Sequence, residues 1–183
     1  MLRIYKTEGI ILKRKNLGEA DRVLTVLTPY HGKIVLLAKG IRRIQSRRAP
    51  HLELFHVAQL TLRKGKTWDL ILEAQTRQAF PGLRANLIRI AYAYRVAEAV
   101  DRLCAENQAH PVVFTRVQQV LFELETSEPA SRAALVDVFT LALLLELGYV
   151  SEKEKMTGVH LQEFLLSITE RAMYSDRLLD KVV

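Results

Sequence analysis

Five cations within ten residues form the densest chemical feature of this chain. The segment from residue 39 to residue 48 contains no acidic residue, and Gly40 and Ser46 lie among its charges. The cations are Lys39, Arg42, Arg43, Arg47 and Arg48. Guanidinium groups bind phosphate oxygens through paired N–H donors, and ammonium groups bind them as point charges. The spacing therefore predicts a flexible cationic loop that binds phosphates.

Two further basic clusters lie at predicted strand ends or turns in the same half of the chain. They are Lys13, Arg14 and Lys15, and then Arg63, Lys64 and Lys66. If the strands between them close into a barrel, we expect the three clusters to converge on one side. Trp68 follows the Lys66 turn, and it either stacks on a nucleic-acid base or plugs the end of the barrel. Tyr5 and Tyr30 are further candidates for base contact.

The chain carries no recognisable motif for catalysis or metal binding. The five histidines lack paired metal-ligand spacing, and they are His31, His51, His56, His110 and His160. The motifs GxxxxGKS/T, GxGxxG and GxSxG do not occur. Cys104 is the single cysteine, which excludes an internal disulfide and a multi-cysteine metal site. We therefore predict a protein that is not an enzyme and uses no cofactor.

The positive charge is confined to the first part of the chain. Residues 1–81 contain 16 Lys and Arg against 6 Asp and Glu, whereas the remainder contains 11 against 14. Such asymmetry indicates a module for nucleic acid or an acidic surface, joined to a part with another task. The longest apolar run, residues 133–147, is shorter than a membrane span of about 20 residues. We expect a soluble, cytoplasmic protein associated with the nucleoid.

Alternating apolar residues predict five strands in the first half. They span residues 2–15, 23–28, 34–38, 51–63 and 68–75. Five short antiparallel strands within about eighty residues favour the OB-fold, a closed barrel whose face and loops often bind single-stranded nucleic acid. An SH3-like barrel fits the same strand count. The predicted fold class is α+β, with a five-stranded antiparallel OB-fold barrel over residues 1–80.

Helical periodicity replaces the strand pattern after residue 81. Four apolar stripes predict helices that follow Leu83, Pro111 and Pro129 and the polar segment 151–158. The third, ALVDVFTLALLLELG, is apolar nearly all round, so we expect it at the centre of a bundle. Residues 81–183 are therefore predicted to form an all-helical domain.

The order of several short motifs resembles the RecO family of bacterial recombination mediators. EGIIL opens the pattern, GEADR precedes a strand, HGK lies at the turn, and AKGIRR ends the next strand. The resemblance is specific over about residues 4–80, and the helical part is similar in layout. It implies an OB-fold packed on a helical domain and binding of single- and double-stranded DNA. It also implies strand annealing, and work with RecR and the single-stranded DNA-binding protein (SSB) to load RecA.

The resemblance also suggests individual DNA contacts. Lys33, Lys39, Arg42 and Arg43 match its motifs, and they join the basic clusters as candidate DNA-binding residues. The full candidate set is Lys13, Arg14, Lys15, Arg22, Lys33, Lys39, Arg42, Arg43, Arg47, Arg48, Arg63, Lys64, Lys66 and Trp68. Many family members carry a four-cysteine zinc module after the LGY segment. No cysteine follows Gly148-Tyr149 here, so no zinc is expected.

Two functions of different classes remain open at the level of sequence, and a third, an enzyme that acts on nucleic acid, lacks a metal-ligand set. The first is a DNA-binding recombination mediator without chemistry of its own. The second is an interaction adaptor that holds an acidic peptide, such as the SSB tail, and binds little DNA by itself. Binding of bare DNA and binding of a short acidic peptide distinguish the two.

Overall fold

The computed structural model describes residues 3–151, 158–170 and 173–182. Two compact units divide the chain. The first consists of residues 1–79 together with residues 105–114, and the second consists of residues 80–104 and 115–183. The first unit is a β-barrel and the second is helical, so the predicted α+β class is confirmed.

Five strands form the barrel of the first unit. They are β1 (Ile4–Leu17), β2 (Asp21–Thr28), β3 (Gly32–Ala38), β4 (Val57–Arg63) and β5 (Asp69–Gln78). The sheet closes in the order β1-β2-β3-β5-β4. Its core contains Ile11, Leu24, Val26, Ile34, Leu36, Ala38, Ile41, Leu52, Ala58, Leu60, Leu62 and Ile71. Because side chains alternate between the two faces of a strand, these buried positions fix which of their neighbours point outwards.

The prediction of a wholly antiparallel sheet was wrong at one pair of strands. Strands β3 and β5 run parallel, with Leu36 opposite Asp69 and Leu37 opposite Leu70. The reason is geometric. In a closed ring with an odd number of strands, the direction cannot alternate all the way round, so a five-stranded barrel must contain at least one parallel pair. The sheet is mixed for that reason.

The segment before β4 also differs from its predicted form. Residues 51–56 are not a strand: a short 3-10 helix spans Ala49–His51, and β4 begins only at Val57. Leu52 and Phe55 are 1% and 2% exposed. Their apolar spacing therefore reflects burial against the barrel, and a positive φ of 68° at Phe55 marks a turn. The alternation of Leu52 and Leu54 suggested a strand where the chain forms a cap.

Six helices lie in the described residues after residue 80, and the start of one of them, α3, belongs to the first unit. They are α1 (Pro81–Arg84), α2 (Leu87–Leu103), α3 (Pro111–Thr126), α4 (Arg132–Glu146), α5 (Val159–Thr169) and α6 (Tyr174–Val182), and a short 3-10 helix spans Pro129–Ser131. The four predicted helices correspond to α2, α3, α4 and α5. Helices α1 and α6 were not predicted. The predicted polar linker falls mainly on residues 152–157, which lie outside the described part of the chain.

Helix α4 was predicted at the centre of the bundle, but it is only partly buried. Helix α2 contacts both α4 and α6, and its small side chains Ala91, Ala93 and Ala99 are buried. Helix α4 leaves Val138 67% exposed, so its all-round apolar character does not produce complete burial. Within the described residues, no helix is both long enough and apolar enough to cross a bilayer.

Candidate nucleic-acid interface

A half-exposed apolar face on β2 and β3 lies between basic residues. Leu24, Leu36 and Ile71 point into the core, so their neighbours point outwards. We use the term β2–β3 face for Val23, Thr25, Val35 and Leu37, which are all partly exposed. In OB-folds the face of strands 2 and 3, with the loops after strands 1 and 4, binds oligonucleotides.

Cross-strand pairing places cations on both sides of this face. One row runs from Lys15 through Val23 and Leu37 to Leu70 and then Arg63, each residue directly opposite the next. A second row runs from Lys13 through Thr25 to Val35. Lys15 is exposed and Arg63 is partly exposed. The apolar strip therefore has a positive charge at each end, an arrangement that suits bases along the middle and phosphates at the edges.

The segment of residues 39–48, called here the basic loop, is held by hydrogen bonds. The Gly40 N–H donates to Asp21 Oδ1 over 2.7 Å, and the Arg42 N–H donates to the Ala20 carbonyl over 2.9 Å. Arg42 Nη1 also donates to the Gly18 carbonyl over 3.1 Å. These bonds dock the loop on the turn between β1 and β2. The sequence predicted a flexible loop, whereas these hydrogen bonds hold the start of the basic loop against the β1–β2 turn.

Arg48 is bound to the protein itself. Its Nη2 donates to the Lys39 carbonyl over 2.6 Å, and its Nη1 donates to the Ile71 carbonyl. The first bond closes the basic loop, and the second attaches the loop to β5. Because two of its N–H donors already have backbone partners in a half-buried setting, Arg48 serves the structure of the loop.

Five candidate cations are exposed and have no side-chain partner among the described residues. They are Lys15, Lys39, Arg43, Arg47 and Lys66. An ammonium or guanidinium group without an internal partner is free to neutralise a phosphate. Three of the five belong to the basic loop, so this loop carries the largest share of the available charge.

Other candidates are engaged within the protein. Arg14 forms an ion pair with Glu53 at 2.6 Å, Arg22 donates to Asn16 Oδ1 over 3.1 Å, and Lys64 pairs with Asp69 at 2.9 Å. Lys13 also has a partner. Lys33 is only 7% exposed, and its carbonyl accepts a hydrogen bond from the Asn107 N–H. A side chain that is buried to this extent cannot reach a phosphate backbone in this conformation, so Lys33 does not belong to the exposed basic surface.

A cleft of about 530 Å³ lies beside the turn between β4 and β5. Four of its lining residues have aromatic rings: Tyr5, Tyr30, His31 and Trp68. Tyr30 is 77% exposed and Trp68 is 36% exposed, whereas Tyr5 is half-buried and meets the His31 ring edge-on at 5.0 Å. We call this feature the aromatic cleft.

Hydrogen bonds around Asp69 organise one side of the aromatic cleft. The Tyr5 hydroxyl donates to Asp69 Oδ2 over 2.5 Å, and the Gly65 N–H donates to Asp69 Oδ1 over 3.1 Å. Burial raises the pKa of Tyr5 above its ordinary value, and the bond to Asp69 raises it further. Burial alone would also raise the pKa of Asp69, but hydrogen bonds from Tyr5, Lys64 and Gly65 together lower it. Asp69 is therefore a charged acceptor whose partners are all internal.

The contacts join the basic residues into two groups. The first contains the basic loop and the β1–β2 turn, and the second contains Lys64 and Trp68 beside the aromatic cleft, with Lys66 between them in sequence. No described hydrogen bond or ion pair links one group directly to the other. Leu36 lies opposite Asp69, and Lys39 comes three residues after Leu36. At about 3.3 Å per strand residue, the Cα atoms of Leu36 and Lys39 are about 10 Å apart. Convergence of all three clusters at one point stays a prediction.

Sequence reasoning missed His31, Glu106 and Asn107 as residues of this region. Glu106 and Asn107 line the aromatic cleft although 25 residues of the other unit precede Ala105. The only local signal was the turn-forming pattern around His31 and Gly32. No pattern in the sequence shows that residues 105–108 return to the barrel. Among the described residues, no three His, Cys, Asp or Glu side chains cluster in a way that could hold a metal ion.

Comparison with known families and proteins gives consistent matches to the first unit and to part of the second. The family model described as "Recombination protein O N terminal" matches residues 1–80, and "Recombination protein O C terminal" matches residues 84–152. A "DNA repair protein RecO" from Dehalococcoides mccartyi is 34% identical over 156 residues, which cover 85% of this chain and 61% of that protein. A protein of the same description from a Roseiflexus species is 37% identical, with 80% of this chain and 51% of the relative covered. The chain thus spans between half and two thirds of these relatives.

Proposed function

This chain belongs to the RecO family, and we propose from that membership and from the geometry of the barrel that it is a DNA-binding recombination mediator. In this proposal it binds single- and double-stranded DNA, anneals complementary strands and helps to load RecA at gaps. Its partners are DNA, RecR and SSB. It carries out no bond-breaking chemistry of its own.

The observation that supports the proposal best is the set of exposed, unpartnered cations on a strand end and two loops of the barrel unit. Lys15, Lys39, Arg43, Arg47 and Lys66 are exposed, and none of them is neutralised by a described residue. Five phosphate contacts predict a log–log salt slope of about −3.5 on single-stranded DNA, because each contact contributes about −0.7. Phosphate contacts carry no sequence information, so sequence preference should be slight.

Annealing follows from the same charges. Two complementary strands repel each other through their phosphates, and a protein that neutralises several phosphates on each strand lowers that repulsion. The β2–β3 face contributes apolar side chains to bases and leaves Watson–Crick edges without specific hydrogen-bonding partners. A strand held in this way can still pair with its complement.

The test is removal of three free cations from the basic loop. We expect the variant K39A/R43A/R47A to bind single-stranded DNA more weakly, with a salt slope flattened by about 2. The measurement is fluorescence anisotropy of a labelled oligonucleotide across a salt titration. The matched control R116A/R177A/K181A removes the same charge from exposed positions of the helical unit, and its slope should stay close to that of the parent. Equal slopes in all three proteins would refute the assignment of the interface.

The adaptor function remains the second candidate, because Arg43 and Arg47 could also pair with the carboxylates of an acidic peptide. A short acidic peptide that competes with DNA for the basic loop would support this second function. Tight peptide binding without measurable DNA binding would favour the adaptor over the mediator.

A further inference from the structure

We propose that the aromatic cleft binds one unpaired nucleobase, so that the protein recognises the bases of single-stranded DNA as well as its phosphates. The proposal rests on the DNA-binding function proposed above and adds a base site to it. The aromatic cleft is formed by the β2–β3 turn, the β4–β5 turn and residues Glu106 and Asn107.

The rings of the cleft provide stacking surfaces that are exposed before any ligand binds. Tyr30 and Trp68 come from different turns, and each leaves a substantial part of its ring accessible. Every base has a π-face, so stacking on aromatic side chains tolerates any base type. The cleft volume of about 530 Å³ is within the range of about 300 to 1,000 Å³ that is typical of small-ligand sites.

The charges of the cleft favour a base over a phosphate. Two carboxylates, Asp69 and Glu106, line it. Asp69 is bound by Tyr5, Lys64 and the Gly65 N–H, so the Lys64 charge is largely used inside the protein. Glu106 is exposed and repels a phosphate. A neutral, planar base meets no such repulsion, and the amide of Asn107 and the carboxylate of Glu106 are available to its polar edge.

Backbone contacts fix the walls of the cleft. The Asn107 N–H donates to the Lys33 carbonyl over 2.9 Å, and Glu106 forms an isolated bridge with Lys33. A side chain on Gly32 would collide with the backbone of Gln108, and one on Gly65 would collide with the carbonyl oxygen of Trp68. These two glycines let the 105–108 segment and the β4–β5 turn approach closely. The site is therefore formed in advance, which lowers the entropic cost of binding.

Trp68 is the single tryptophan of the chain, so its fluorescence reports directly on the cleft. The experiment titrates the full chain with a mixed-sequence oligonucleotide and with an abasic oligonucleotide of the same length, which keeps every phosphate and lacks every base. We expect the base-containing strand to quench Trp68 emission and to bind at least about fivefold more tightly, as stacking of one base in the cleft implies, with bases on the β2–β3 face adding to the difference. The abasic strand should bind with a similar salt slope and leave the emission nearly unchanged.

A pair of variants tests the site without altering the reporter. Tyr30→Ala removes an exposed ring of the cleft and should weaken the base-containing strand while leaving the abasic strand unaffected. Phe122→Ala, which removes a 55% exposed ring from the helical unit, is the matched control and should change neither.

Equal affinity for the two strands, with no change in Trp68 emission, would overturn the cleft proposal and leave the phosphate interface standing. Failure of both strands to bind would overturn the proposed DNA-binding function and the base site together. Quenching that persists unchanged in Tyr30→Ala, at parental affinity, would also exclude the cleft as the base site.

Discussion

Arg47 and Arg48 are adjacent cations of the basic loop, and their side chains have different surroundings. Arg47 is exposed without a described partner, whereas Arg48 is half-buried and donates to the carbonyls of Lys39 and Ile71. Sequence alone places both in the same cationic run. The identity of a hydrogen-bond partner depends on the fold, and Ile71 is 23 residues away from Arg48.

The difference predicts opposite effects of two neighbouring substitutions. Arg48→Ala leaves two backbone carbonyls without their charged donor, so the free energy of unfolding should fall by about 1.5 to 3 kcal/mol. Arg47→Ala should change it by less than about 0.5 kcal/mol and should weaken DNA binding instead. Urea denaturation and fluorescence anisotropy measure the two effects. An equal loss of stability in both variants would contradict the structural role of Arg48.

The sequence predicted the positions of the charges better than their exposure and internal partners. The exposed cations Lys15, Lys39 and Arg43 were identified from composition and spacing alone. Lys33 was chosen by motif. It is buried and its backbone pairs with Glu106 and Asn107, which no local pattern connects with β3. Charge is visible in a sequence, whereas exposure and partners follow from contacts between distant segments.

At the scale of elements, the direction of the strands could have been predicted better from the sequence. All five strands of the barrel were predicted, and β3 pairs with β5 in parallel because an odd, closed ring requires one such pair. The error over residues 51–56 has another origin. Leu52 and Phe55 are buried by capping the core, and a short alternating pattern cannot distinguish a cap from a strand.

Helix α6 shows how a single carboxylate can hold an element in place. Glu98 on α2 accepts the backbone N–H groups of Tyr174 and Ser175, each over 2.8 Å, and pairs with Arg102 at 2.6 Å. The first N–H groups of a helix lack intrahelical partners, so Glu98 caps α6 from a neighbouring helix. The sequence did not predict α6, because a cap supplied from 76 residues away leaves no local signal.

Removal of this carboxylate should loosen α6. We expect Glu98→Ala to lower the free energy of unfolding by about 1 to 2 kcal/mol and to speed tryptic cleavage at the exposed residues Arg177 and Lys181. Phe122→Ala, an exposed position outside this contact, is the control. Unchanged cleavage at both sites would show that Glu98 does not hold the helix.

The hydrogen bonds of Glu98 also predict that the free energy of unfolding falls at acid pH. Burial raises the pKa of Glu98, but backbone hydrogen bonds from Ser175 and Tyr174 and the charge of Arg102 lower it overall from its ordinary value of 4.5. Because the folded pKa lies below the unfolded one, the stabilisation is complete above about pH 4.5 and is lost as the pH falls through the folded pKa. Burial raises the pKa of Asp176, so protonation of this carboxyl favours the folded state as the pH falls. Glu98→Gln should remove the loss of stability that accompanies protonation of Glu98.

At the scale of the whole molecule, charge is separated along the chain. Residues 1–81 hold a large excess of Lys and Arg, and the rest is slightly acidic. A field of this kind attracts an anionic polymer to one region and raises the rate of association. The basic residues 1–81 coincide with the match to the N-terminal RecO model over residues 1–80, and the match to the C-terminal model over residues 84–152 lies in the remaining part of the chain.

This separation predicts a fixed ratio between two salt slopes. If the same five cations contact single strands and duplexes, the slope should be about −3.5 on single-stranded DNA and about −4.5 on duplex DNA, because a phosphate contact contributes about −0.7 and −0.9 respectively. Anisotropy titrations with labelled strands of equal length measure both. A much steeper duplex slope would mean that further cations, outside the five, contact the duplex.

Residues 105–114 complete the barrel unit although α2 separates them from it in sequence. A recombinant fragment that stops at residue 80 would therefore lack the strip of backbone that lies against Gly32, and it would lose Glu106 and Asn107. The ribosome must also release α2 before the first unit can finish folding. An isolated barrel unit should therefore be produced either as a fragment that extends through residue 114 or as residues 1–80 with residues 105–114 added as a separate peptide.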